Sequence, residues 1–251
     1  VSATKLTKVQ KDLVEALGRH VGDDRILHVP LTAQLNDGVR RERTQRSRSF
    51  HFASLGVAVA EMFGLKAVEF FENGVVSLNL PPVAQVVGAR ATRSAHPKAL
   101  NGLGRLFTPL LGYRRKVRNP FLLRTKGDVL ETMRPLGMAD EIERTRSGAD
   151  VHHLSDMYHH CGRCSQCIDR RFAVLAQGHA THDPAGTYAV DLFDGARPRV
   201  QDRERVLSYV RNARFFNISD AAQLLRGFPE IARVIDDAGC CKEEDSARRA
   251  V

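Results

Sequence analysis

SFHFASLGVAVAEMFGLKAVEFF, residues 49–71, reads as a helix running directly into a strand. Phe50, Phe52, Leu55, Val57, Val59 and Met62 fall on nearly every face of a helix over Ser49 to Phe63, and Gly64 supplies its stop. Such a helix is expected to lie buried against a sheet, with Lys66 to Phe71 as the strand that follows it. Upstream, Leu6, Val9, Leu13, Val14 and Leu17 recur at helical spacing before Gly18, and Arg25 to Leu31 forms a short apolar run read as a further strand. Downstream, Pro97 opens a helix through Leu100, Leu103 and Phe107, and Val117 to Leu123, with Pro120 inside, reads as a short or edge strand. Thr125 and Asp128 resemble a capping box, with Asp for the usual Glu, at the head of a helix over Val129, Leu130, Met133 and Leu136.

Helices alternating with short strands imply an α/β fold, a parallel doubly wound layer whose ligand sits outside the carboxyl ends of the strands. Three strands are a poor sheet by themselves, so the chain is expected to begin after the first strands of its fold. From Val200 onward the pattern is helical: Val206, Leu207 and Val210, then Ser219 capping Ala222 to Leu225, then Pro229 opening Ile231 to Ile235. The division expected is a partial α/β domain over 1–145, a knuckle segment over 146–180 and a helical extension over 181–251.

No run approaches the roughly 18 to 20 uninterrupted apolar residues of a membrane span, so a soluble protein is expected. The formal charge of +9 favours anionic partners such as phosphate, carboxylate or nucleic acid. Aromatic residues make up only 6% and Trp is absent, which leaves little stacking surface for a dedicated single-strand binder and favours small anions. The cysteines are odd in number, and Cys161, Cys164 and Cys167 fall close together, which points to metal binding in a reducing, cytoplasmic compartment rather than to disulfides.

His159-His160-Cys161-Gly162-Arg163-Cys164-Ser165-Gln166-Cys167 places three thiols in a turn that can aim them at one tetrahedral ion, with Gly162 allowing the turn. Zinc is the leading candidate. The fourth ligand is sought among His160, His159, His152 and His153, with His160 preferred. An iron-sulfur reading needs another cysteine four positions on, where Arg171 stands.

Arg40, Arg41, Arg43, Arg46 and Arg48 crowd the approach to the Ser49 helix, which Ser47 or Ser49 can cap. Arg46 and Arg48, nearest its start, are the candidates for gripping a phosphate or carboxylate, and the rest read as a solvated loop. In the Glu72 to Pro82 segment, Asn73, Ser77 and Asn79 can read the edge of a heterocycle, or Asn73-Gly74 can turn into a short hairpin strand.

Arg46-Ser47-Arg48-Ser49-Phe50, the Glu72 to Pro82 loop, Asn119-Pro120-Phe121 leading to Thr125-Lys126, and the cysteine segment together resemble the 7-cyano-7-deazaguanine synthase (QueC) family, especially its relatives in Qat anti-phage systems. The resemblance covers about Val1 to Gly178 and is specific in the Cys-Gly-x-Cys-x-x-Cys segment. It implies a HUP-type PP-loop ATP pyrophosphatase sheet, and an enzyme that activates the carboxylate of 7-carboxy-7-deazaguanine with ATP and magnesium and carries it, with ammonia, to an amide and a nitrile. It further implies zinc on Cys161, Cys164 and Cys167, Arg48 in the place of the Gly-Arg-Asn arginine, Lys126 at the head of a helix after a strand, and the Asn73 to Pro81 loop, with Asn79, at the substrate.

Two departures stand out. Gly148 occupies the place of the family's first zinc cysteine, so a histidine must substitute or the site is three-coordinate. The PP-loop signature Ser-Gly-Gly-x-Asp-Ser is absent from the 251 residues. The chain is accordingly expected to be the carboxyl-terminal portion of a ligase-type enzyme, inactive toward ATP alone, with a protein of the defence system as a further partner. The competing expectation is a zinc-stabilised module that binds nucleic acid or protein and carries out no chemistry.

Overall fold

The computed structural model describes residues 3–31, 48–78, 95–147 and 157–228, together with 231 and 234. In chain order the helices and strands are α1 (Ala3–Val21), α2 (Arg48–Met62), β1 (Ala67–Glu69), α3 (Gly74–Ser77), α4 (Pro97–Leu111), β2 (Lys116–Arg118) and α5 (Lys126–Glu131). They continue with α6 (Glu141–Arg144), α7 (Ser165–Ala176), α8 (Val200–Ile218) and α9 (Ala221–Gly227). The chain divides into two compact units, one built from Val1–Arg40 and Lys126–Leu207, the other from Arg41–Thr125 and Ser208–Val251. None of the described helices is long and apolar enough to cross a membrane.

The second unit carries the sheet. β1 and β2 pair in parallel, with Val68 opposite Val117. Ala53 and Val57 of α2 and Leu100, Leu103 and Phe107 of α4 close over this pair with Val117, and Val68 and Phe70 pack at the edge. At Gly56 α2 passes close to the strand: a Cβ there would stand 2.9 Å from the Val68 side chain. Pro97 occupies the first turn of α4, where its missing N–H costs nothing, and the His96 ring accepts from the Lys98 amide.

Among the described residues the architecture is therefore mostly helical with one small two-stranded parallel sheet, not the wide doubly wound layer expected. Arg25 to Leu31 is not a strand. A 3-10 turn spans Asp23–Arg25, and beyond it Leu27, Val29 and Leu31 are exposed, since among the described residues no strand lies beside this apolar run to form a ladder with it. The Val117 to Leu123 run stops as a strand at Arg118, where the Asn119 carboxamide oxygen accepts the Phe121 amide and turns the chain.

α2 forms as expected but is not buried all round. Two strands of three residues cover only one stripe of it, the small residues Ala53, Val57 and Ala60, and leave Phe50, Phe52 and Met62 exposed. α5 ends at Glu131, before Met133 and Leu136, which lie in turns. The helical tail is present, with its cap one residue later than expected: Asp220, not Ser219, forms a capping box with Gln223. Pro229 lies outside the described residues.

In the first unit α5 packs on α7, and Lys126 Nζ reaches Asp169 Oδ2 at 2.7 Å. Among the described residues, Ile142 of α6 and Ile168 and Val174 of α7 are its largest fully buried aliphatic side chains. This unit holds Cys161, Cys164 and Cys167.

Candidate functional site

The three cysteines are brought together by the turn into α7. Cys164 caps the helix, its Sγ accepting from the Cys167 amide at 3.4 Å, which returns Cys167 one turn later to the same side. Gly162 takes φ +70°, and a Cβ there would run into the Val190 carbonyl. Gly162→Ala is expected to cost about 2 kcal/mol through left-handed strain and that clash, and more where the turn cannot yield, read as a fall in the denaturant midpoint. From the far side Arg197 ties the loop down, donating to the Gly162 carbonyl at 3.0 Å and the Asp191 carbonyl at 3.0 Å.

The Sγ atoms of Cys161, Cys164 and Cys167 all lie within 4.8 Å of one another, and those of Cys161 and Cys167 are 3.7 Å apart. A tetrahedron of thiolates about 2.3 Å from a zinc ion has an edge of about 3.8 Å, so the spacing suits an ion of that size. Protonation points the same way. Hydrogen bonds from Cys164 and Cys167 hold the Cys161 thiol far below its ordinary range, while its neighbours and burial push Cys167 far above it. One thiolate forms readily and the last is resisted by negative charge already present, an imbalance that a bound cation removes. Three close cysteines here can hold a metal ion such as zinc.

His160 does not join that group among the described residues. Its Nδ1 lies 3.1 Å from the Ser147 carbonyl, the same oxygen to which Cys167 Sγ donates at 3.4 Å, and its ring leans on Tyr188 at 4.8 Å. Burial, with the Arg170 guanidinium, lowers the imidazole pKa to about 4, so it is neutral near pH 7 and Nδ1 is the nitrogen that donates to Ser147. His152 and His153 lie outside the described residues.

A charged network braces the knuckle from below. Asp183, 1% exposed, accepts from Arg170 Nε at 2.9 Å and from the Tyr188 hydroxyl at 2.7 Å, with Arg171 Nη1 at 3.3 Å. Arg170 also donates to the Ile142 carbonyl at 2.7 Å, tying α7 to α6. Tyr188 forms a parallel bridge with His160, so the network reaches the residue before the first cysteine.

The second unit gathers polar groups at the carboxyl ends of its strands. Because β1 and β2 are parallel, the chain leaves both at the same edge, and Asn119 joins the two exits, donating to the Glu72 carbonyl at 2.6 Å and to Ser77 Oγ at 2.7 Å. Ser77 Oγ donates in turn to the Glu72 carbonyl at 3.1 Å, and the Gly74 amide donates to the Arg124 carbonyl at 2.7 Å. The Asn73-Gly74 pair opens α3 rather than a hairpin, with Asn73 Oδ1 accepting from the Val76 amide at 3.2 Å. Phe71 and Phe121 meet edge to face at 5.6 Å. Burial raises the Glu72 carboxyl pKa, opposed by the positive charge of Arg48, whose guanidinium lies 5.3 Å from the Phe52 ring centroid.

Known protein families, characterised proteins and solved structures give no match to this chain. Its function is read from its own residues. Of those singled out in the sequence, the cysteines converge, Arg48 comes within electrostatic reach of Glu72, and Lys126 is matched by Asp169. Arg46 and Asn79 lie outside the described residues. Asn119 and Glu72 enter the sequence reading only as members of longer segments, with no role of their own, and Asp183 and Tyr188 do not enter it. Asn119-Pro120 is a visible turn signal after a strand, but nothing local marks the partners the other three meet across the fold.

Proposed function

We propose that this chain supplies the substrate end and the metal knuckle of a QueC-like enzyme that activates the carboxylate of 7-carboxy-7-deazaguanine with ATP, in 7-deazaguanine metabolism or anti-phage defence. The observation that carries this reading is the gathering of Glu72, Ser77, Asn119 and Arg48 at the carboxyl ends of two parallel strands, where open parallel sheets bind their ligands. Arg48 contributes the charge that a carboxylate or its adenylated form requires, an electrostatic role with no proton transfer. Zinc on Cys161, Cys164 and Cys167 holds the knuckle and takes no part in the chemistry.

ATP with magnesium enters through the resemblance. The backbone cradle that a pyrophosphate needs, Ser-Gly-Gly-x-Asp-Ser, is not among these residues, so the 251-residue chain is expected to show no ATP hydrolysis above background in a phosphate-release assay. Calorimetric titration with 7-carboxy-7-deazaguanine tests the reading itself. Saturable binding at one site, changing little between low and physiological salt, is the expected result. No binding of that carboxylate, together with nucleic-acid binding that falls steeply with salt, would replace the enzyme reading with that of a basic binding module.

A further inference from the structure

A cavity of about 420 Å³ opens beside α6 in the first unit, lined by Asp140, Glu143, Arg144, Arg146, His159 and His182. That is more room than a single small ion fills, and it falls in the range of small-molecule sites. Two guanidiniums and two carboxylates face this space, and two of the four charges already have partners. Arg144 Nε pairs with Glu141 Oε2 at 3.0 Å, and Asp140 Oδ1 is met by His182 Nδ1 at 3.1 Å. Arg146 and Glu143 remain.

Arg146 is held in place by one nitrogen. Its Nη1 donates to the carbonyls of Glu143, Arg144 and Thr145 at 2.9, 3.0 and 3.1 Å, at the end of α6 where helical carbonyls lack partners. Nε and Nη2 make no hydrogen bond among the described residues. Together these two nitrogens form the side of a guanidinium that grips a carboxylate through two parallel N–H groups. Burial, with the Arg170 guanidinium nearby, lowers the Arg146 pKa, and an arriving anion relieves that cost. Glu143 is within electrostatic reach of Arg146, yet its carboxylate makes no hydrogen bond or ion pair among the described residues. The clasp of carbonyls fixes the guanidinium, and the two opposite charges stay apart across one space.

A bare oxyanion in this cavity would satisfy Arg146 but face the carboxylates of Glu143 and Asp140. A bare amine would satisfy Glu143 and face two guanidiniums. A small molecule carrying a carboxylate and an ammonium side by side answers both. We propose that the cavity binds the head group of a free α-amino acid, with its carboxylate on Arg146 Nε and Nη2 and its ammonium on Glu143. This site uses neither the thiols nor the strand-end cluster, and it stands or falls apart from the function proposed above.

The test is an NMR titration of the 251-residue chain, prepared with zinc, against glycine, acetate, ethylamine and inorganic phosphate. The signal followed is the Arg146 Nε–H resonance, identified by its loss in Arg146→Lys. Glycine is expected to shift it saturably, with acetate and ethylamine each about tenfold weaker because each lacks one of the two charge-assisted contacts. Glu143→Gln, at an exposed position, is expected to weaken glycine about tenfold and to spare acetate. Arg146→Lys keeps the charge but loses the fork, and should weaken glycine and acetate alike, read from backbone amide shifts around the cavity. Acetate binding as tightly as glycine, or glycine binding unchanged in Glu143→Gln, overturns the proposal even if Arg146→Lys fails to fold. Phosphate binding more tightly than glycine overturns it in favour of a plain anion site. No saturable shift with glycine up to about 100 mM, where even a millimolar site would be filled, also overturns it.

Discussion

Removing the metal from the loaded protein is expected to cost the cysteine-bearing unit about 4 kcal/mol when free zinc stands a thousandfold above its dissociation constant, because an ion that binds only the folded state stabilises it by mass action. Cys167→Ser should reproduce the full loss. Its thiol is completely buried, donates to the Ser147 carbonyl and lies 3.7 Å from Cys161 Sγ, and no further cysteine stands beside the three among the described residues. Cys164→Ser separates two effects that otherwise coincide. Cys164 is both a member of the thiol group and the cap of α7, and serine is a preferred cap but a poor zinc ligand. It should therefore lose metal while keeping the helix start. The measurements are bound zinc per chain and the thermal midpoint with and without chelator. A Cys167→Ser protein with the unfolding curve of the unsubstituted chain, in the presence of zinc, would remove the metal centre from the account. Acid should act as chelation does, since protons compete with the ion for the thiolates.

What the sequence made legible was local. The cysteines, Gly162 and the start of α7 lie within one turn of each other, so spacing alone announces their chemistry. α4 was readable from Pro97 and its apolar spacing, and β1 from the run after Gly64, because each signal lies inside the element it forms. Arg25 to Leu31 failed for the opposite reason: a strand exists only through a partner, and apolar character cannot say whether one arrives. Phe50 and Phe52 misled likewise, since their spacing promises a helix but the width of the sheet decides which faces are covered. The strand-end cluster depends on Asn119 reaching Glu72 and Ser77, more than forty positions earlier in the chain. The parallel pairing that causes this meeting leaves no trace in local spacing.

Asp183 is the position where one substitution should do most harm without touching a thiol. A carboxylate so deeply enclosed is tolerable only because Arg170, Arg171 and Tyr188 supply its donors, and those arginines are tolerable in the interior only because it supplies their counter-charge. Asp183→Asn preserves the shape and removes the charge, leaving Arg170 and Arg171 buried beside a neutral amide that offers one acceptor oxygen for three donors. Breaking a buried pair from one side costs about 3–5 kcal/mol, and that is the expected drop in unfolding free energy. Tyr188→Phe, which deletes one neutral donor, should cost nearer 1–1.5 kcal/mol, and the two losses should not add, because they share an acceptor. High salt should rescue neither, since the charges are shielded from solvent ions. Arg170 anchors α7 to α6 and Tyr188 is bridged to His160, so the damage should extend to the knuckle. Zinc affinity is thus expected to fall in Asp183→Asn although its side chain makes no contact with the cysteines. An Asp183→Asn protein with unchanged stability and unchanged zinc affinity would show that the thiols hold their geometry without this support.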